Sequence, residues 1–220
     1  MSFKDRCWTE IDRSALRENL RILQSCIPGG CRLMGIVKAD GYGHGAAEVA
    51  ALFSGIPGSW LGVDLCRVGT VLYGLLPQTA MTRPLPLRPA LTRKARVAIV
   101  RQLPAGVPVS YDRTAVTQRP TSLAVVTAGD ADGYFRQLST LGKVKIRGHI
   151  CPVLGRVCMD MFMADITDFP DVQAEDEVIL LGGRGEDTVP CQWLYQPIGI
   201  GPSAVTCNIR PRVERTYLDE

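Results

Sequence analysis

Leu16, Leu20 and Leu23 recur at intervals of four and three, placing an apolar stripe along one side of a helix that starts near Ser14, with Ser14 as its N-cap. Pro28-Gly29-Gly30 closes that element. Residues 33–37, LMGIV, form a short apolar run that suits a strand buried on both faces, as in a parallel sheet. Residues 46–53 read as a short helix, Ile56-Pro57-Gly58 as a turn, and residues 60–63 as a further strand. Strand and helix alternating in this way predict an α/β layer.

The pattern changes after residues 77–89, where PLPLRP marks a stiff, extended connector. Short strands are predicted over residues 96–103, 123–127, 143–147, 152–157, 162–166 and 178–181. Turn residues separate them, including Pro104-Ala105-Gly106 and Asp130-Ala131-Asp132-Gly133. Such a series predicts a β-rich domain of sandwich or barrel type. A single helix is expected there, over residues 189–196, with Thr188 as cap and Pro190 in its first turn. The chain therefore divides into an α/β part, residues 1–83, and a β-rich part, residues 84–220.

Composition narrows the function classes. Hydrophobic residues make up 46% and charged residues 21%, ordinary for a folded domain, and the net charge of +3 is too weak to argue for nucleic acid or an anionic membrane. The basic cluster Arg93, Lys94, Arg96 reads as a solvated strand face. No apolar run is long enough to cross a bilayer, and residues 1–10 lack the apolar core of a secretion signal, so a cytoplasmic location is expected. The cysteines include no CxxC pair and the histidines are His44 and His149, so no metal site is expected.

Candidate chemistry concentrates in GIVKADGYGHG, residues 35–45. Burial of Lys38 at the end of an apolar strand would favour the neutral amine needed for Schiff-base chemistry. The glycines that follow allow close backbone approach to a phosphate, and the Tyr42 hydroxyl is a suitable donor. Taken alone, the same pattern also describes a snorkelling lysine followed by a polar loop.

The residues themselves are more specific than the pattern. VKADGYGHG resembles the cofactor-lysine signature of the alanine racemase family, and WTEIDRSALRENL resembles that family's N-terminal segment. The resemblance implies that Lys38 carries pyridoxal 5'-phosphate and removes the α-proton of D-alanine, with Tyr42 on the phosphate. RVGTVLYG, residues 67–74, is similar to the family stretch in which an arginine, here Arg67, faces the pyridine nitrogen and the positions of Gly69 and Thr70 present amides to the phosphate. A segment ending in Tyr111 resembles the one that supplies the second base, a tyrosine that abstracts the proton of L-alanine from the partner subunit of a homodimer. GRVCMDMFMADITD, residues 155–168, resembles the substrate-contacting segment, with Met159 and Asp160 at its tip. Read without the family, Met159 is a core residue of a β-turn, Asp160 caps a backbone amide, and Tyr111 is a half-buried strand aromatic.

The resemblance also has a gap. Between Val63 and Asp64 it jumps from an early barrel strand to the last part of the barrel. A complete (β/α)8 barrel needs roughly 250 residues, so the α/β part is expected to be a truncated remnant of a barrel followed by the β-rich domain. The family's substrate-carboxylate arginine and cofactor-stacking histidine have no counterpart here. Asp130 and Ser203 stand where the family has tyrosines, and Tyr217 is expected to lie too far along to replace the second. The implied function is racemisation of alanine, with serine as an alternative substrate, supplying D-alanine for peptidoglycan. Two other readings are a non-catalytic family member that keeps the β-rich domain for dimerisation, and a pyridoxal-phosphate carrier, which would have no use for the Tyr111 segment.

Overall fold

The computed structural model describes residues 6–27, 32–54, 66–75 and 85–219. The expected turns at 28–30 and 56–58, the strand at 60–63, the Val63–Asp64 junction and most of the 77–89 connector lie outside the described residues. The chain forms two compact units, one of residues 10–91, 201–207 and 215–220, the other of residues 1–9, 92–200 and 208–214.

In the first unit, strand β1 (Cys7–Asp12) contributes its last residues and leads directly into helix α1 (Arg13–Cys26). The stripe is as expected: Leu16, Leu20 and Leu23 are buried, together with Ile11 and Ala15. The cap is not. Asp12, in extended conformation, accepts from Ala15 N at 2.8 Å, and the Ser14 hydroxyl lies inside the helix and donates to the same carboxylate at 2.7 Å. A carboxylate is the stronger acceptor at a helix start, so it takes the capping role. Asn19, fully buried on α1, bonds the carbonyls of Leu72 and Arg88 and accepts from Arg88 N at 2.9 Å, which ties the extended segment before residue 91 to the helix. Strand β2 (Leu33–Gly35) pairs in parallel with β3 (Cys66–Val68), and the residues between include α2 (Lys38–Tyr42) and α3 (Ala46–Ser54). This is the α/β arrangement expected, but β2 is two residues shorter than the apolar run and is not buried on both faces: Met34 is 40% exposed.

The second unit is an antiparallel barrel. Its strands are β4 (Leu91–Leu103), β7 (Thr121–Val126), β8 (Lys143–Ile146), β9 (His149–Leu154), β10 (Phe162–Asp165) and β11 (Glu177–Leu181), with a small hairpin of β5 (Pro108–Val109) and β6 (Ala115–Val116). They run in the order β11-β8-β9-β10-β7-β4, and β11 pairs back to β4 to close the ring. Closure depends on β4. Its first half pairs with β11 and its second half with β7, and a bulge between Val97 and Ile99 lets one strand turn the corner. Inward positions Ala95, Val97, Val126, Val144, Ile146, Phe162, Ala164 and Val178 are buried, and Phe162 stacks on Tyr134 with ring centres 4.7 Å apart.

Strand alternation overturns the reading of Arg93, Lys94 and Arg96 as one solvated face. Arg93 shares its side with Leu91, Ala95 and Val97 and is 1% exposed. Lys94 and Arg96 face outward, the first toward Glu177 at 3.3 Å, the second over the Trp8 ring at 5.1 Å. The helix expected over 189–196 shrinks to α4 (Gln192–Tyr195), because Val189 bridges to Gly182 as an added strand residue. One helix was expected in this half of the chain, but a second, α5 (Pro202–Cys207), follows, and then strand β12 (Glu214–Leu218); α5 and most of β12 return to the first unit. No helix among the described residues is long and apolar enough to cross a membrane.

Phe162 is 0% exposed and Ile150, on the neighbouring face of β9, is 46% exposed. Truncating Phe162 to alanine is expected to lower unfolding free energy in urea by about 3–5 kcal/mol, against under about 0.5 kcal/mol for Ile150→Ala. Equal effects would contradict the assigned barrel interior.

Candidate active site

Beyond β2 the backbone turns the wrong way for L-residues. Ala39, Asp40, Gly41 and Tyr42 all have φ between 51° and 61°, so α2 is a turn of left-handed helix. Each non-glycine residue in that conformation costs about 1–2 kcal/mol, and the surroundings must offset it. Gly41 N donates to Val37 O at 2.9 Å, Gly43 N to Ala39 O at 3.0 Å, and Gly45 N to Asp40 O at 2.9 Å. The Asp40 carboxylate then caps α3 by accepting from Ala46 N at 2.8 Å.

His44 is the internal brace. It is fully buried, its Nδ1 lies 3.0 Å from both Gly41 O and Tyr42 O, and its ring packs 4.5 Å from Tyr73. With two carbonyls facing it, Nδ1 must be the protonated nitrogen and the ring is neutral. Burial holds its pKa down at about 4; the two carbonyls oppose that shift without reversing it. Tyr73 in turn donates its hydroxyl to Ile36 O at 2.9 Å, fixing the end of β2. From the C-terminal return, Arg215 Nε donates to Gly43 O at 3.2 Å. Gly43, at φ 84°, is obligatory: a Cβ there would stand 2.2 Å from Thr206 O on α5.

The turn brings four of the expected residues together. Lys38 Nζ lies 5.9 Å from the centre of the Tyr42 ring, which packs on Tyr73 at 5.3 Å. The Tyr42 hydroxyl reaches the backbone of Gly69, where an added Cβ would come within 2.9 Å of it. Gly69 also opens the 3-10 turn Thr70–Tyr73, whose N-terminus has no side-chain cap, so the hydroxyl and a helix-type N-terminus converge on one spot. Arg67 sits in β3 opposite Met34; its side chain lies outside the described residues. The expectation that Lys38 is buried at the strand end is not met. Lys38 is exposed, because the chain leaves β2 two residues earlier and enters the left-handed turn.

Tyr111, Met159 and Asp160 belong to the barrel unit. Tyr111 is 62% exposed and begins a 3-10 turn after β5, not a strand, so the half-buried strand reading fails. The preceding Ser110, at φ 66°, donates its hydroxyl to Arg156 O at 2.8 Å and touches Cys158 Sγ at 3.5 Å, which sets the Tyr111 turn beside the 156–160 segment. The next residue, Asp112, pairs with Arg156 at 3.2 Å and Arg136 at 4.0 Å. Met159 is 58% exposed rather than in the core, and Asp160 caps no amide among the described residues; its carboxylate accepts from Arg212 at 2.7 Å, which holds it below the usual carboxylate range.

Several site residues were not singled out in the sequence. His44 stands inside the quoted motif, but a lone histidine gives no sign of bracing a turn. Arg6, Asp132 and Arg212 are scattered over the whole chain length and meet only in the fold. Tyr217, expected to lie too far along, comes back on β12 with its hydroxyl against Gly45, where a Cβ would overlap it, and with Arg13 over its ring at 5.3 Å. Ser203 sits on α5, and Asp130 accepts from Arg136 N at 3.1 Å.

The family model for the alanine racemase N-terminal domain matches residues 11–63, and that for the C-terminal domain matches residues 90–217. An alanine racemase of Desulfovibrio desulfuricans is 40% identical over 186 residues, covering 83% of this chain and 48% of the relative. One from Halothermothrix orenii is 39% identical over 156 residues, covering 71% and 41%. The chain thus spans about half the length of the curated relatives it matches. Among solved structures, alanine racemase from Clostridium difficile in complex with cycloserine aligns with TM-score 0.86 at 22% identity, covering 97% of this chain and 96% of that one. Alanine racemase from Bartonella henselae with covalently bound pyridoxal phosphate aligns with TM-score 0.83 at 19% identity, covering 97% and 99%. These structures show the fold, which in this chain is a truncated α/β part followed by a β-rich domain. With the C-terminal domain match extending over more than half of its residues, the chain belongs to the alanine racemase family.

Proposed function

We propose that this chain is a pyridoxal-phosphate-dependent racemase converting L-alanine to D-alanine, acting in the cytoplasm as a homodimer and supplying D-alanine for peptidoglycan, without nucleic-acid or membrane partners. The observation that carries the reading is the convergence of Lys38, the Tyr42 hydroxyl and the Gly69–Thr70 backbone within one unit. Along the sequence, residues 1–83 would form the cofactor-bearing domain and 84–220 the β-rich domain, with residues 201–207 and 215–220 returning to complete the first.

The residues present fit the cofactor's phosphate end. A Cβ at Gly69 would fill the space beneath the Tyr42 hydroxyl, and the 3-10 turn starting at Thr70 offers uncapped amides to an anion. Tyr42, Gly69 and Thr70 would hold the phosphate, Lys38 would attach the group covalently, and Arg67 would face its ring nitrogen. When bound, pyridoxal phosphate supplies an electron sink that loosens the α-proton of an amino acid. The protein's part is proton movement on two faces. Lys38 Nζ takes or returns the α-proton on the D side, and Tyr111 Oη does the same on the L side, with Tyr111 contributed by the partner copy. Removal at one face and delivery at the other inverts the centre with no net change in protons. Met159 and Asp160 contact the substrate.

A second reading has its own support. Lys38 is exposed in the single chain, which favours a non-catalytic family member whose β-rich domain serves dimerisation. The two separate in one experiment. Purified protein supplied with pyridoxal phosphate is expected to develop a visible absorbance band and to exchange the α-proton of alanine in heavy water, both lost in Lys38→Ala. If wild type shows neither, the second reading stands.

Replacing Tyr111 by phenylalanine is expected to slow α-proton exchange from L-alanine by about 10²–10⁴-fold while D-alanine still exchanges without inversion. Equal loss from both enantiomers would exclude separate roles for Lys38 and Tyr111.

His44 generates a pH dependence of the lysine-bearing unit. Its pKa is about 4 in the fold and rises to the ordinary 6.5 on unfolding, with nearby Arg215 favouring and Asp40 opposing the neutral ring. The unfolded chain therefore binds the extra proton, so the stabilisation is complete above pH 6.5 and is lost as pH falls toward 4, by up to about 3 kcal/mol. Urea unfolding at pH 7 and 4.5 is expected to show a smaller difference for His44→Asn than for wild type.

A further inference from the structure

The barrel unit contains a charged cluster with no part in the proton steps above. Asp132 is 2% exposed and ends the 3-10 turn Asp130–Asp132. Its Oδ2 accepts from Arg6 Nη2 at 2.6 Å and from Gly129 N at 2.8 Å, and its Oδ1 accepts from Arg212 Nε at 2.7 Å. Arg93, itself buried, donates to the Asp132 carbonyl at 2.9 Å. A buried carboxylate needs such partners, and that need alone explains the pairing as local compensation.

Compensation does not explain where the arginines go next. Arg212 uses its Nη2 to reach the Asp160 carboxylate at 2.7 Å, and Arg6 uses its Nη1 to reach the Asp160 carbonyl at 3.0 Å. Two guanidiniums anchored on one buried carboxylate thus grip both the side chain and the peptide group of a single exposed residue. The turn beneath adds backbone contacts to the same segment: Asp130 N donates to Cys158 O and Ala131 N to Met159 O, each at 2.9 Å. Gly129 has no room for a side chain, because a Cβ would stand 2.4 Å from Met159 O. Every described contact of the 129–132 turn with residues 158–160 restrains the orientation of the Met159–Asp160 tip.

We propose that Asp132 is a positioning residue: through Arg6 and Arg212 it fixes the Met159–Asp160 tip in the conformation that receives substrate. The proposal rests on the racemase reading for the word substrate, but the mechanical part does not. Both guanidiniums are forked donors, each able to span two acceptors at fixed geometry, which is the property needed to transmit position from a buried anchor to a surface tip. Neutralising Asp132 removes the anchor, and Arg212 is left with one weaker, solvent-facing partner.

The test uses full-length protein carrying 13C-methyl methionine, with two variants, Asp132→Asn and Arg212→Gln, the second remote enough from the core to keep the fold if the first does not. In both, the Met159 methyl resonance is expected to shift and broaden while that of Met163, on β10, stays in place. In cofactor-supplied protein the KM for alanine is expected to rise about tenfold, with kcat falling no more than about threefold, and the double variant is expected to match the stronger single one. An unchanged Met159 resonance in folded variants overturns the proposal, as does a common shift of all methionine methyls, the mark of a purely structural role. Should wild type fail to turn over alanine, only the functional reading falls, and the methyl spectra still decide whether Asp132 governs the tip.

Discussion

The left-handed turn after β2 is the constraint on which the lysine-bearing unit depends. Ala39, Asp40 and Tyr42 occupy a region of conformational space that L-residues avoid, and no local preference of theirs selects it. What selects it is the set of groups waiting on the other side: the buried imidazole of His44 under two carbonyls, the Asp40 carboxylate on the start of α3, and the close approach of Gly43 to Thr206. The last of these comes from the far end of the chain, and others join it. Arg215 and Tyr217 on β12 and Thr206 on α5 pack on the glycines that follow Tyr42. The unit therefore cannot complete its chemistry-bearing loop until the last residues have returned, which couples the first fifty residues to the last twenty.

The barrel unit solves a different problem. A closed antiparallel ring has no free edge, but it must turn a corner, and the bulge in β4 supplies it. Its polar content is not spread evenly. Arg93 points inward from β4 to the carbonyl of Asp132, and the carboxylate of Asp132 holds two further arginines whose other ends lie at the surface. A polar network run from interior to rim offers restraint to a loop tip that apolar packing cannot give residues as exposed as Met159.

Much of this is legible in the chain's own residues. The leucine stripe of α1 and the six main barrel strands follow from periodicity, because each has a face in a core and burial is what periodicity records. The failures share a cause. Ser14 loses the cap to Asp12 because capping depends on which acceptor the preceding strand delivers, and Val189 leaves its helix because Gly182 offers it a bridge. Arg93 is misread because three basic residues in a row of four look like one face, while a strand sends them to two. At the site, the residue types near Lys38 are evident but the left-handed turn is not, since part of what holds it comes from residues more than 160 positions away. The Asp132 cluster is invisible for the same reason: Arg6, Asp132 and Arg212 carry no mutual spacing that any local pattern would reveal.

The exposure of both proposed bases carries a further consequence. Lys38 and Tyr111 are each held by a rigid frame, the first by the braced turn, the second by Ser110 and the Asp112 ion pairs, yet both lie open to solvent in the single chain. Proton transfer from a carbon acid needs water kept away from the reacting centre, both to strengthen the local electrostatics and to stop the carbanion from being quenched at random. A frame that orients a base without covering it supplies half of that requirement. In the proposed homodimer the other half comes from the second copy, whose barrel tip over the lysine turn would supply it to both sites at once. On this account dimerisation is a condition of stereochemical control in the proposed reaction, and a monomeric form of the same fold keeps its ordered residues while losing the means to use them.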